Sequence, residues 1–438
     1  MLCSGAEQFV DWSAAYRLFS NERIACDALH APARNAVLER LPKSEPLVVM
    51  MDDTLIHKRG RKIHGTAWKR DPLGPHFCTN FIWGQRFLQM SAALPDTGQQ
   101  GRARGIPIDF VHAPSAAKPK KKAPPEAWAE YRQQQKRTAV SSVAVQRLHN
   151  LRNSIKDRTI ICAVDGGFTN RTMFRQLPVE TILIGRIRKD ARLFAPPELG
   201  MTPRRGRRRW YGAALPTPEQ IRQDESIPWQ SVAAFATGKR HQFEVKVIPA
   251  ARWLGTGVHT ISIVIVRPLA YRLCKGHRLL YRNPAYLLCT DPELPIDRLL
   301  QSYLWRWEIE LNFRDEKTVL GVGQAQVRKA PSTESVPALL VASYAFLLLA
   351  GTAKTSGQAQ LPRPKWRRPE PTERTTTQQM LALLRAGLWK MAINTNLTHF
   401  AAQAPTERTP FYSSTSLAST VAMHGNSQRR GGGQKPPL

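Results

Sequence analysis

Short apolar runs bounded by charged or turn residues recur along the chain and predict strands. Leu47 to Met51, in LVVMMDDT, is β-prone and ends against two acids, Asp52 and Asp53. Thr159 to Val164, in TIICAVDGG, predicts a second buried strand, followed directly by Asp165, Gly166 and Gly167. A third, in VETILIGRIRKD, ends in Arg186, Arg188, Lys189 and Asp190. The apolar and aromatic content from Phe77 to Leu94 predicts a strand pair, and Ile106 to Val111 another strand. Past Asp190, the segments VAAFATG, HQFEVKVI, HTISIVIVRPL and AYLLCT are β-rich. Helical periodicity appears in DWSAAYRLFS and APARNAVLERL, from Glu126 to Arg152, and from Gln378 to Asn394. The tail QRRGGGQKPPL has the composition of disorder.

The most informative stretch is YLWRWEIELNFRDEK, Tyr303 to Lys317, expected as one helix. At roughly 100° per residue, Arg306, Glu310 and Lys317 fall within about 60° of Tyr303 around its axis. A carboxylate, two cations and a phenol then share one stripe, which suits a metal beside phosphates. Glu308, Asp315 and Glu316 project more than about 100° away by the same arithmetic, which makes them poor candidates for the site. A solvated charged face is the usual explanation of a charge run, but four residue types at fixed offsets argue for a site.

The spacing Y-x2-R-x3-E-x6-K resembles the signature of a large group of DDE transposases from bacterial insertion sequences. The resemblance implies an α/β fold with a ribonuclease H-like, retroviral integrase-type core. It also implies a β-rich insertion before the catalytic helix and a short helical N-terminal region. In this group the glutamate completes a metal-binding acidic triad with two upstream aspartates at strand ends. Here these are Asp52, Asp165 and Glu310, as catalytic residues and metal ligands. Successive strand residues face opposite sides, so only one of Asp52 and Asp53 can face a shared site. The family's D-x-T spacing favours Asp52, leaving Asp53 as a supporting acceptor. Gly166 and Gly167 remove bulk beside Asp165, letting a nucleic-acid strand approach. Three carboxylates suit two Mg²⁺ (or Mn²⁺) ions about 3.5–4 Å apart, one preparing the nucleophile and the other stabilising the leaving 3′ oxygen. Arg306, Lys317, Tyr303 and Arg186 are the expected phosphate contacts.

Charge supports a nucleic-acid partner independently. The 438 residues carry 64 Lys and Arg against 33 Asp and Glu, a net +31, an excess that a polyanion would neutralise. It clusters at Lys118 with Lys120 to Lys122, at Arg204, Arg205 and Arg207 to Arg209, and at Arg363, Lys365, Arg367 and Arg368. Trp210, Tyr211 and Trp366 adjoin these runs, and their rings could stack on bases. The expected partner is double-stranded DNA, both terminal inverted repeats and target, held by a homodimer, without a membrane. Six scattered cysteines without zinc spacing suit reduced thiols in a bacterial cytoplasm. The apolar segment VPALLVASYAFLLLAGTA from Val336 is long enough to raise a membrane span, but the resemblance places a core helix there.

The expected organisation is an N-terminal helical region over 1–45 and a first core part over 46–190. The insertion spans 191–290, the catalytic and following helices 291–395, and a disordered tail 396–438. Members of the family generally carry a longer helical N-terminal region that helps to bind inverted repeats, whereas only residues 1–51 precede Asp52. A compact lineage, an upstream start and a truncated copy all fit that departure. The expected activity is metal-dependent cleavage at element ends and strand transfer into target DNA. The alternative is a catalytically silent, transposase-derived DNA-binding protein. A non-transposing nuclease of the ribonuclease H type fits the helix signature and the insertion less well.

Overall fold

The computed structural model describes residues 13–71, 74, 77–96, 101–197, 210–257, 259–272, 276–353 and 374–388. The chain divides into two compact units, Ile24–Ala342 on the one hand and Met1–Arg23 with Ser343–Leu438 on the other.

The unit Ile24–Ala342 is built on one twelve-stranded sheet of mixed direction. Helices α2 (Cys26–Leu29) and α3 (Ala31–Arg40) lead into β1 (Leu47–His57), β2 (Ala67–Arg70), β3 (Phe81–Pro95) and β4 (Ala103–His112). Then come α4 (Pro125–Arg137), α5 (Val140–Ser154), β5 (Ile160–Val164), α6 (Arg171–Arg175) and β6 (Thr181–Arg186). Next are β7 (Leu193–Phe194), β8 (Ala214–Leu215), α7 (Pro218–Gln223), β9 (Gln230–Ala236), β10 (Lys239–Trp253) and β11 (Ile261–Val266). A separate two-stranded ribbon, β12 (Ala270–Tyr271) with β13 (Leu280–Tyr281), precedes β14 (Ala285–Cys289). The helices α8 (Ile296–Trp305), α9 (Trp307–Thr318) and α10 (Ala330–Ala353) follow.

β1 pairs antiparallel with β3 and parallel with β5, and β5 pairs parallel with β6. β2 and β4 both pair antiparallel with β3. Several elements differ from the sequence expectation. Within the stretch from Phe77 to Leu94 there is one long strand, β3, and not a pair, because β1 pairs with it over nine residues and no turn interrupts the pairing. Glu126 to Arg152 divides into α4 and α5 at Thr138, whose N–H and hydroxyl both return to the Gln134 carbonyl. The expected β segments of 191–290 all form, but they lie in the central sheet. β14 pairs with β6 through Leu287 and Arg186, and β11 and β10 extend from it.

One face of the sheet is sealed by α8 and α9. Val48, Met50, Ile161, Ile184, Val264 and Leu287 pack with Leu299, Leu300, Ile309 and Phe313 in one buried cluster. Each such side chain contributes roughly 1.5–3 kcal/mol of burial. The buried positions of α9 are Ile309, Asn312, Phe313 and Glu316, a helical stripe that includes two polar residues. Asn312 Nδ2 donates to Ser91 Oγ at 3.0 Å and to the Gly105 carbonyl at 3.2 Å. Gln89 Nε2 donates to Glu316 Oε1 at 3.0 Å. These bonds seat α9 on β3 and β4 in one register, which apolar contact alone would not specify.

The first turns of α10 pack through Ala338 and Val341 against Ile56, Phe87 and Phe110. The helix is long and apolar enough, by length and composition, to cross a membrane, and half of its apolar window is buried. In the unit Met1–Arg23 with Ser343–Leu438, residues 13–20 form α1 (Ser13–Ser20) and residues 377–388 are helical. The Tyr344 hydroxyl lies 3.3 Å from Thr377 Oγ1. The basic runs at Arg204–Arg209 and Arg363–Arg368, with Trp366, and the tail 396–438 lie outside the described residues, as does the end of the expected helix beyond 388.

Candidate active site

Strand pairing fixes the first two acids. Met51 of β1 sits opposite Val164 of β5 in the parallel register, so Asp52 and Asp165 are the next residues at the same level. β5 stops there, while β1 continues to His57 on its pairing with β3. Asp52 is therefore within a strand and not at the strand end expected from sequence. Beyond Met51 it has no parallel partner in β5, yet its side chain is buried.

Alternation along β1 puts Asp52 on the face of Val48 and Met50, which α8 and α9 cover. Asp53 points the other way and pairs with Arg86 Nε at 3.1 Å. Its own N–H donates to Asp52 Oδ1 at 2.8 Å. Asp165 Oδ1 accepts from the Gly167 N–H at 2.8 Å and the Phe168 N–H at 3.3 Å, which pins its carboxylate in the turn after β5. A Cβ on Gly167 would stand 3.1 Å from that same oxygen, so the glycine keeps the carboxylate's surroundings open.

Tyr303, Arg306, Glu310 and Lys317 do not lie on one hydrogen-bonded helix. The ladder tightens at Arg306, whose N–H returns to Tyr303 and whose carbonyl accepts from Ile309, three residues apart in each case. Arg306 nevertheless keeps right-handed helical angles, φ −50° and ψ −31°. The stripe therefore carries through from α8 to α9. Arg306 Nη1 lies 3.3 Å from Asp52 Oδ2 and 3.7 Å from Glu310 Oε1. Its guanidinium stands 5.9 Å from the Tyr303 ring centroid, and its Nε is buried without a partner.

The charges behave as one group. Burial first, and then the charge of Asp165, push the Asp52 carboxyl up to about 7. The Asp53 N–H and Arg306 oppose that rise, and Glu310 adds to it. Burial lowers the Lys317 ammonium, and Glu316, Glu310 and Asp53 pull it back. Burial raises the Tyr303 phenol, against the cations Arg306 and Arg186. Arg186, exposed at the end of β6, has its Cβ 3.9 Å from where Gly166 would carry one. Arg306 thus joins Asp52 and Glu310 directly, and Asp165, Lys317, Tyr303 and Arg186 lie within electrostatic reach of one or another of these groups. Sequence reasoning missed Arg86 and Lys69, whose charges stabilise ionised Asp53. Both are brought there by β2 and β3, whose pairing no local pattern announces.

Residues 10–248 match the model of a protein family described as DDE superfamily endonuclease. The chain belongs to that family. Comparison with curated proteins returns no match. In this DDE endonuclease the matched residues include Asp52 and Asp165, whereas Glu310 lies beyond them. Enzymes of the superfamily generally use divalent metal ions. The donor set fits such an ion: hard oxygen ligands whose mutual repulsion and burial raise Asp52, and which draw in the nearest cation, Arg306.

The other chemistry-rich positions fall elsewhere. Glu308 Oε2 accepts from the Gly105 N–H at 3.2 Å, and Glu316 is buried under Gln89. Lys118 and Lys120 to Lys122 are exposed in the loop before α4. Tyr211 packs on Phe194 with ring centroids 5.1 Å apart, and Trp210 is exposed.

Proposed function

We propose that the chain is a transposase of the Y-x2-R-x3-E-x6-K insertion-sequence group, with Asp52, Asp165 and Glu310 as its catalytic triad on a ribonuclease H-like core. The observation that carries the reading is the parallel register of β1 and β5, which sets Asp52 beside Asp165 while Arg306 touches both Asp52 and Glu310. The antiparallel order β4, β3, β1 followed by parallel β5 and β6 supports the core assignment. On this reading 46–190 and 291–395 form the catalytic core, 1–45 its N-terminal region and 191–290 an insertion whose strands extend the core's own sheet through β14 and β6.

Asp52, Asp165 and Glu310 would hold Mg²⁺ or Mn²⁺, probed best as a pair of ions. When bound, the metal supplies an activated water or 3′-hydroxyl and stabilises charge on the leaving oxygen. The chain's own groups do the rest. Arg306 holds Asp52 and Glu310 together and presents its remaining N–H donors to a phosphate. Lys317, whose charge Glu316, Glu310 and Asp53 favour, adds a point charge for the backbone. Tyr303 backs Arg306 through its ring. Arg186 and Gly166 form the opposite rim, where a DNA strand can approach closely.

The substrates are double-stranded element ends and a target duplex, bound by a homodimer in a bacterial cytoplasm. The test is strand transfer. A duplex with a pre-cleaved 3′-hydroxyl end should join a plasmid in Mg²⁺ or Mn²⁺, and Asp52→Asn, Asp165→Asn and Glu310→Gln should each abolish joining. Wild-type binding without cleavage or joining in either metal would favour the catalytically silent DNA-binding protein.

A further inference from the structure

We propose a transition-metal site, of the kind zinc occupies, formed by His64, His112 and Glu334 away from the acidic triad. One ligand atom from each residue lies within 4.8 Å of the others. The three come from distant parts of the chain. His64 is in the loop between β1 and β2, His112 ends β4, and Glu334 is in the second turn of α10.

His112 is held firmly. It sits opposite Phe87 in the β3–β4 register, and the two rings stack with centroids 4.9 Å apart. Its side chain is 1% exposed, and Nδ1 lies 3.1 Å from Glu334 Oε1. Nε2 is buried with no hydrogen-bond partner. Nδ1, which faces Glu334, is therefore the nitrogen that would take the ion, while Nε2 packs against Gly65. Backbone geometry also favours an imidazole edge here. Gly65 has φ 71°, and a Cβ there would come 2.6 Å from His112 Nε2, so this position admits only glycine beside the ring. The neighbouring His64 is fixed through its carbonyl, which accepts from Gln85 Nε2 at 2.8 Å, while its ring meets His112 edge-on at 5.9 Å.

Two borderline imidazole nitrogens beside one hard carboxylate make a set that favours zinc-like ions over Mg²⁺. Tetrahedral coordination at zinc bond lengths puts ligand atoms roughly 3.3–3.5 Å apart. The 3.1 Å between His112 and Glu334 is already near that edge, and His64, being exposed, can swing to close the set. Three protein ligands leave the fourth position to water on the side where His64 and Glu334 meet solvent. The bound ion would pin the loop after β1 to the sheet and to α10, and so stabilise the strand that carries Asp52.

The inference does not rest on the transposase reading, and its test keeps the two apart. In full-length protein carrying Asp52→Asn and Asp165→Asn, Co²⁺ is titrated with visible absorption as readout. One equivalent should bind with the strong d–d bands of four-coordination, be displaced by Zn²⁺, and survive excess Mg²⁺. His64→Ala, at an exposed position, and Glu334→Gln should each weaken binding at least tenfold while circular dichroism stays unchanged. No bound Co²⁺, a weak six-coordinate spectrum, or undiminished affinity in either variant would overturn the site.

Discussion

Asp52 and Asp165 stand side by side because Met51 and Val164, the residues before them, are partners in a parallel ladder. That register separates Asp52 from its neighbour Asp53, which the same strand turns toward Arg86. Asp52→Asn is therefore expected to abolish DNA cleavage, whereas Asp53→Asn should retain it at a rate lower by about 10–100-fold, the range typical of a supporting contact. Asp53 is raised by burial despite Arg86, so removing its charge should cost little stability. Nicking rates of the two variants on one duplex decide the assignment, and equal loss in both would undo it.

Arg306 lies between two of the acids, and its removal leaves Asp52 buried beside Asp165 without its nearest cation. Truncating one partner of a buried pair costs about 3–5 kcal/mol. Arg306→Ala should lower the melting temperature most in chelator, and Mg²⁺ or Mn²⁺ should recover part of the loss by neutralising the same carboxylates. Scanning calorimetry with and without metal checks this. An identical loss under both conditions would show that the guanidinium and the ions do not share the site.

How much of this was legible beforehand differs from residue to residue. The apolar runs before Asp52 and Asp165 and the offsets from Tyr303 to Lys317 are local patterns, and all of them lead to one neighbourhood in the structure. The continuation of β1 past Asp52 is not local, since it depends on pairing with β3 over a shared length. The same holds for β14 joining β6, where Arg186 meets Leu287 across a long excursion of chain. The stripe arithmetic turned Glu316 away from the acids, but did not reveal that it would be buried, because charge alone reads as solvated. Gln89 and a close-packed helix face make that burial possible.

Glu316 supplies a pH prediction. Burial raises its carboxyl from 4.5 to about 8, against the pull of Gln89 and Lys317. Below about pH 4.5 both folded and unfolded chains hold the proton. Between there and about 8 the unfolded chain releases it first, so this group's contribution to stability falls as pH rises, by up to about 1.4 kcal/mol per unit. Glu316→Gln keeps the hydrogen bond to Gln89 and removes that slope. Urea unfolding should find the variant close to wild type near pH 5 and more stable at pH 8.5. A constant difference across that range would contradict the burial argument.

A second buried ion pair ties α5 to β4. Arg147 Nε and Nη2 donate to both oxygens of Asp109, at 2.7 Å and 2.6 Å, and Nη1 reaches Asp27 at 2.6 Å. Arg147→Ala should destabilise by about 3–5 kcal/mol, because the Asp109 charge is left buried. Adding Asp109→Ala should recover part of that loss. A double-mutant cycle in urea measures the coupling, and additive losses would show that the two side chains act separately.

The central claim is that catalysis resides in the acidic cluster and DNA affinity in the Lys and Arg surface. The most direct measurement pairs a gel shift with a nicking assay for wild type and Asp165→Asn, on duplexes carrying the element's inverted repeat, in Mg²⁺ and in Mn²⁺. Losing one ligand charge should abolish nicking. Binding should persist, weakening steeply with salt in both proteins through counterion release. Undiminished nicking by Asp165→Asn, or loss of binding together with cleavage, would contradict the account.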